Sequence, residues 1–299
     1  MSLTLADLSM SLRGIIAAPP GREIIGADFS AIEARVLAWL AGQQDLLQAF
    51  RDPKRDVYVE AAARSDSDDR NFGKLKILSC GYGLGSKSCY QKGKEARLKN
   101  WSRKLAYKTI KDYRAENKAI VEFWKITEDA VKQAIKSPGQ VFPVGAFVKT
   151  ASDGRCLFVR LPSGRAIRYW RPGLRWVEKT FEYLDENGEL VVSKPTKVEE
   201  ITFFTPAKDA VSMQMEATYS GSLVENLCQA VARDLLAHAV MLLDDRYPVV
   251  IHVHDSIASE VPAGFGSVEE FCYIMSTVPP WAPGLPLAAS GYRDTRFRG

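Results

Sequence analysis

Ile32, Val36 and Trp39/Leu40 recur at i, i+4 and i+7/i+8. That spacing predicts a helix over residues 30–40 with one buried stripe, stopped at Gly42. Before it, the run Glu23-Ile24-Ile25-Gly26-Ala27 reads as a short strand, entered from the turn signal Ala18-Pro19-Pro20-Gly21. Residues 53–140 look mostly helical. One helix starts near residue 70 and ends at Gly81-Tyr82-Gly83-Leu84-Gly85. A long basic amphipathic stretch follows over 102–136, stopped by Ser137-Pro138-Gly139. The pattern then changes to strand-like runs at 156–160, 165–170, 176–184 and 198–204. Asp153-Gly154, Ser163-Gly164 and Asn187-Gly188 separate them as hairpin signals. An uninterrupted helix is predicted over 222–243, then a strand over 249–254 with a return partner over 257–261. A tail rich in Pro and Gly runs from 279 to 299. This order predicts an α+β fold, with a helical insertion between two halves of a sheet domain and a β-hairpin block beside it. The divisions fall at 1–52, 53–139, 140–208 and 209–299.

Composition narrows the class without changing that picture. The 299 residues are 46% hydrophobic and 25% charged, which excludes a disordered tail, a coiled coil and a collagen-like fibre. No apolar run reaches the roughly 18 residues of a spanning helix, so no membrane partner is expected. The N-terminus lacks the basic and apolar regions of a secretory signal. Cys80, Cys89, Cys156, Cys228 and Cys272 are odd in number and form no CxxC pair. They fit a reducing cytosol, with neither a disulfide framework nor a zinc site. The net charge of +4 conceals a segment, residues 70–136, with 17 Lys/Arg against 6 Asp/Glu. Such a block is either a solvated helical surface or a polyanion-binding one.

Four constellations carry candidate chemistry. Asp28, in Ala27-Asp28-Phe29-Ser30-Ala31-Ile32-Glu33-Ala34-Arg35, ends a buried-looking strand; the competing reading is a helix entry with Ser30 and Glu33 as a capping box. Asp255, in Val253-His254-Asp255-Ser256, follows a strand at a tight turn; the competing reading is an ordinary hairpin Asp, and His254 alone reads as a strand residue. Together the two carboxylates suit two-metal phosphoryl transfer, which needs acids converging from separate strands. Mg²⁺ is the expected ion, because it takes few carboxylates and completes its shell with phosphates and waters. Arg70, Lys74, Leu78 and Tyr82 recur every four residues along one predicted helix face. Two cations with an apolar and aromatic wall could hold a nucleoside triphosphate, or they could be a surface edge. Glu225, Gln229 and Arg233 form a polar stripe that is either a solvated helix side or a minor-groove reader.

In this order the motifs resemble those of the family A DNA polymerases, and most of all the phage-encoded members. ADFSAIEAR resembles motif A, Arg70 to Gly83 motif B on the fingers helix, and VHDS motif C; ENLCQAVARDLL is similar to the minor-groove helix, and the PPWAPGLPL tail also fits. The resemblance implies a palm sheet with a large, mainly helical fingers insertion. It implies Asp28 and Asp255 as carboxylate ligands of two Mg²⁺ ions, with the Phe29 carbonyl as a further ligand. Arg70 and Lys74 would hold the dNTP, Lys74 would protonate pyrophosphate, and Leu78 and Tyr82 would flank the nucleotide. Glu33 would exclude a 2′-hydroxyl. His254 would sit beside the primer terminus, Gln229 would contact the terminal base pair, and Gly83 would face the primer-template DNA. Departures are Leu78 in place of Phe or Tyr, Ser256 in place of an acid, and Tyr58 in place of a phosphate-contacting His. The chain begins just before motif A, so the thumb and exonuclease are expected in cis or trans. Two other readings are a catalytically silent nucleic-acid-binding remnant or split subunit, and a single-subunit phage-type RNA polymerase. Glu33 argues against the RNA enzyme, because a bulky residue beneath the sugar disfavours ribose.

Overall fold

Strand β1 (Arg22–Phe29) buries Ile24, Ile25, Ala27 and Phe29 and leaves Asp28 exposed. The computed structural model, which describes residues 14–185, 187–207 and 212–298, explains this non-alternating pattern by a central position. β1 lies between two antiparallel neighbours, β11 (Ser256–Pro262) and β12 (Ala289–Asp294), and β10 (Val249–Val253) completes the sheet in the order β10-β11-β1-β12. Helix α9 (Val268–Met275) packs on β1 and β12. The approach is close: a Cβ on Gly291 would meet Cys272 and Val268 of the helix at 2.8 Å, while within the sheet one on Gly26 would meet the Tyr292 ring at 2.7 Å. α9 and β12 answer to no element predicted from sequence. β12 reads Ala-Ser-Gly-Tyr-Arg-Asp, with small and polar residues, and is a strand because β1 pairs with it from Ile24↔Asp294 to Phe29↔Ala289.

The chain divides into two units, Met1–Arg35 with Val231–Gly299, and Val36–Ala230. The divisions fall inside helix α1 (Ile32–Ala41) and helix α8 (Ser220–Asp244). The four-stranded sheet belongs to the first unit. The second holds α2 (Gln44–Arg51), α3 (Val57–Ala63), α4 (Arg70–Cys80), α5 (Ser86–Glu95), α6 (Arg103–Glu116) and α7 (Lys118–Lys136). Asp56, Asp69 and Ser102 cap α3, α4 and α6 by accepting from backbone N–H groups of the first turn. α3 and α4 touch backbone to side: a Cβ on Gly73 would lie 1.8 Å from the Tyr58 carbonyl oxygen.

Three expectations are corrected. The stretch over 102–136 is two helices, broken at buried Asn117, which leaves helical geometry at φ −114°, ψ 57°. Its Nδ2 donates to the Tyr113 carbonyl at 2.9 Å at the end of the first helix, and Gln43 Oε1, from a distant segment, accepts from the Ala119 N–H at 3.1 Å at the start of the second. The Ser30/Glu33 capping box is absent: Ala31 stands at φ 52° and α1 begins at Ile32, which leaves Ser30 one residue too early. The runs at 165–170 and 176–184 are not two strands: β5 (Ala166–Lys179) is continuous from the first into the second.

β5 belongs to a six-stranded antiparallel sheet with β2 (Val141–Val144), β3 (Val148–Ser152), β4 (Cys156–Arg160), β8 (Thr196–Pro206) and β9 (Met213–Thr218), in the order β2-β3-β4-β5-β8-β9. Beyond it, β6 (Glu182–Leu184) and β7 (Leu190–Val192) form a separate hairpin. Among the described residues no helix is long and apolar enough to cross a membrane.

Candidate active site

Asp28 is the penultimate residue of β1 and stands opposite Ser256 in the β1–β11 ladder. Asp255 is the neighbour of Ser256, in the two-residue turn that joins β10 to β11 after Val253 pairs with Ser256. The turn is tied to β1 by the Phe29 N–H, which donates to the Asp255 carbonyl at 3.1 Å. Two carboxylates 227 positions apart are thus brought to one end of adjacent strands. His254 occupies the turn at φ 53°, a left-handed backbone that His adopts several-fold more often than most non-glycine residues. Its side chain is exposed.

The electrostatics follow from that proximity. Burial raises the Asp255 carboxyl above its ordinary value, and the negative charge of Asp28 raises it further. Ser256 is buried and its hydroxyl donates to Asp28 Oδ1. The side chain at the unusual motif position therefore supplies a hydrogen-bond donor to the first carboxylate where an acid would have added a third negative charge. Among the described residues, no three His, Cys, Asp or Glu side chains cluster as a metal site. The Asp28 and Asp255 side chains offer oxygen donors, the kind a hard divalent cation takes.

The turn before α1 is held by a residue that sequence reasoning passed over. Arg35 is 8% exposed; its Nε donates to the Ser30 carbonyl at 2.7 Å and its NH1 to the Pro286 carbonyl at 2.9 Å. The only local hint was an arginine on a helix otherwise apolar beyond Glu33. Glu33 is half-buried in the first turn of α1.

In the second unit, Arg70 and Lys74 are exposed on α4 and Leu78 is half-buried. Arg70 Nε donates to Asp56 Oδ2 at 2.8 Å, and its guanidinium carbon lies 5.0 Å from the Tyr58 ring centre. Burial raises the Asp56 carboxyl, but Arg70 and the Val59 and Tyr58 amides outweigh that and hold it below its ordinary value. Tyr82 does not continue the helix face, because α4 ends at Cys80. It lies buried in the following turn, where Trp124 Nε1 donates to the Gly81 carbonyl at 2.9 Å and the Tyr219 hydroxyl donates to the Tyr82 carbonyl at 3.3 Å. A Cβ on Gly221 would fall 1.9 Å from that same carbonyl, so the second residue of α8 is a glycine where the Tyr82 backbone passes. Gly83 takes φ 66°, open to glycine at no steric cost. Gln229 is exposed on α8, whose Leu223, Val224, Leu227 and Cys228 are buried.

The sequence of residues 5–139 matches the family model of DNA polymerase family A. A curated relative, a DNA polymerase of Bacillus phage SP02, is 34% identical over 297 residues, 95% of this chain and 42% of the relative. The chain therefore spans less than half the length of that protein. A solved structure, the POL domain of Pol1 from M. smegmatis in complex with DNA primer-template and dNTP, matches with a TM-score of 0.60 at 19% identity, over 100% of this chain and 44% of that one. At that identity the likeness is one of fold. The family match over residues 5–139, the phage relative and the shared fold all agree with the resemblance of the motifs to DNA polymerase family A.

Proposed function

We propose that the chain is the catalytic core of a template-directed DNA polymerase, extending a primer 3′-hydroxyl with dNTPs on primer-template DNA. The observation that carries this is the convergence of Asp28 and Asp255 on adjacent strand ends, where burial and the Asp28 charge raise the Asp255 carboxyl, as a neighbouring cation would relieve. Asp28, Asp255 and the Phe29 carbonyl would hold two Mg²⁺ ions, which when bound supply charge neutralisation at the attacking and leaving oxygens. The primer oxygen attacks the α-phosphorus, the bond to the bridging oxygen breaks, and pyrophosphate leaves. The protein's part is positioning and electrostatics.

In this reading Ser256 orients Asp28 through its hydrogen bond. Arg70 and Lys74 neutralise the triphosphate, and Lys74 gives the leaving pyrophosphate its proton. Arg70 is already oriented by Asp56 and stacked on Tyr58, so it meets the nucleotide as a positioned cation. Leu78 and Tyr82 flank the base and sugar, and Glu33 excludes a 2′-hydroxyl. His254 and Gln229 contact the primer terminus and its base pair, with Gly83 at the template.

The test is primer extension with Mg²⁺ by the full chain and by Asp28→Ala and Asp255→Ala. Extension by the parent and a loss of at least about 10³-fold in each variant is expected, since carboxylate and metal together carry several kcal/mol of transition-state charge. Equal, nonzero extension by all three proteins would remove the two-carboxylate mechanism. Incorporation of ribonucleotides as readily as deoxynucleotides would remove the DNA assignment.

A further inference from the structure

The six-stranded sheet has a face that the polymerase chemistry does not use. Ladder register and burial separate its two sides. Val144, Val148, Thr150, Leu157, Val159, Tyr169 and Ile201 are buried on one side. There Tyr169 accepts from Asn226 Nδ2 of α8 at 3.0 Å.

The other side reads differently. One cross-strand row runs Cys156–Trp170–Phe204–Met215 over four strands. The next holds Ala151, Phe158 and Arg168, and the next Lys149, Arg160 and Ala166. Trp170 is 44% and Met215 51% exposed. The Arg168 guanidinium lies 5.9 Å from the Phe158 ring centre, and that of Arg171 lies 5.9 Å from the Phe204 ring centre. Arg171 sits in the register shift between Trp170 and Gly173 at φ 47°, a strained backbone for a long side chain. A bulge of this kind re-aims a side chain, here a cation towards the aromatic row. Among the described strand residues of this side the one carboxylate is Glu200, held between Arg175 and Lys179 at 2.7 Å each.

Aromatic rings in adjacent rows on a firm sheet, interleaved with arginines and net positive, suit a chain of unstacked bases joined by phosphates. Rows about 7 Å apart and strands about 4.8 Å apart let successive bases lie on successive rings. We propose that this face is a binding platform for single-stranded DNA, with bases stacked on Phe158, Trp170 and Phe204 and phosphates paired with Lys149, Arg160, Arg168 and Arg171. A duplex, whose bases are already stacked and enclosed, gains nothing from the rings. The platform lies within one unit and does not rest on the carboxylate mechanism.

The experiment is fluorescence anisotropy of a labelled oligothymidylate with the full chain, in EDTA and without nucleotide, so that failure of catalysis leaves the readout untouched. A blunt DNA hairpin is the duplex control. Trp170→Ala combined with Phe204→Ala is expected to weaken oligothymidylate binding roughly 10- to 100-fold, with hairpin binding and the melting temperature unchanged. Trp170→Phe should retain binding. Arg171→Gly keeps the left-handed backbone without strain and removes only the cation; it should lower the slope of log affinity against log salt by about 1. Unchanged oligothymidylate affinity in both the aromatic and the Arg171 variants would overturn the proposal. So would an equal loss on the blunt hairpin, or self-association of the parent that the variants abolish while DNA affinity stays the same.

Discussion

At the residue scale, the protein holds Asp255 beside a second acid, Asp28, where its negative charge is unfavourable in the absence of a cation. Burial and the Asp28 charge both raise the Asp255 carboxyl, so the folded chain binds that proton more tightly than the unfolded chain does. An acid with a raised folded-state value costs stability above that value, and the cost disappears as pH falls below the unfolded value. Asp255→Asn is therefore expected to raise the melting temperature in metal-free buffer near pH 8 by about 2 °C, on the order of 1 kcal/mol, while abolishing extension. The gain should close as pH falls towards 4, as thermal melts across that range will test; a gain that widens on acidification contradicts the assignment. Ser256 carries the same lesson. Sequence marked it as a lost acid, and only the fold pairs its hydroxyl with Asp28, 228 positions away.

At the element scale, the helical block is organised by polar groups buried between helices, and these were the least legible. Lys76 looked like one more member of a basic run. Its side chain is 0% exposed, and its Nζ donates to Glu116 Oε1 at 2.7 Å and to Ser65 Oγ at 2.9 Å. It thus ties α4 to the last residue of α6. Glu116→Ala strands a buried ammonium and should cost about 3 kcal/mol in urea unfolding. Lys76→Met with Glu116→Leu should recover most of that, because an apolar pair has no charge to desolvate; failure of the double variant to recover would mean the pair's geometry matters beyond its charges. The Asn117 break belongs here too. Hydrophobic periodicity runs through it unchanged, and the helices part where the Asn117 side chain donates to the Tyr113 carbonyl and the Gln43 side chain accepts from the Ala119 N–H.

At the scale of the whole molecule, a net charge of +4 is the small remainder of a basic segment over residues 70–136 and an acidic complement. If DNA binding neutralises about six phosphates, the slope of log affinity against log salt is about −5, and affinity falls roughly 10³-fold between 50 and 200 mM salt. A titration that is flat in salt would deny the basic segment that role. Sequence alone determined much of this protein. It located β1, the β10–β11 hairpin, α4, the long α8 and the carboxylates Asp28 and Asp255, because helix and strand periods and turn residues are local properties that a short window carries. The tertiary structure decided which strands are neighbours. It made a strand of residues 289–294 by offering them an edge, set Asp28 opposite Ser256, and turned the alternation of β4, β5 and β8 into one buried face and one aromatic, cationic face. Those outcomes depend on register between distant segments and on a bulge that shifts the register after Trp170. Register is fixed by burial across the whole sheet, which no single window of sequence contains.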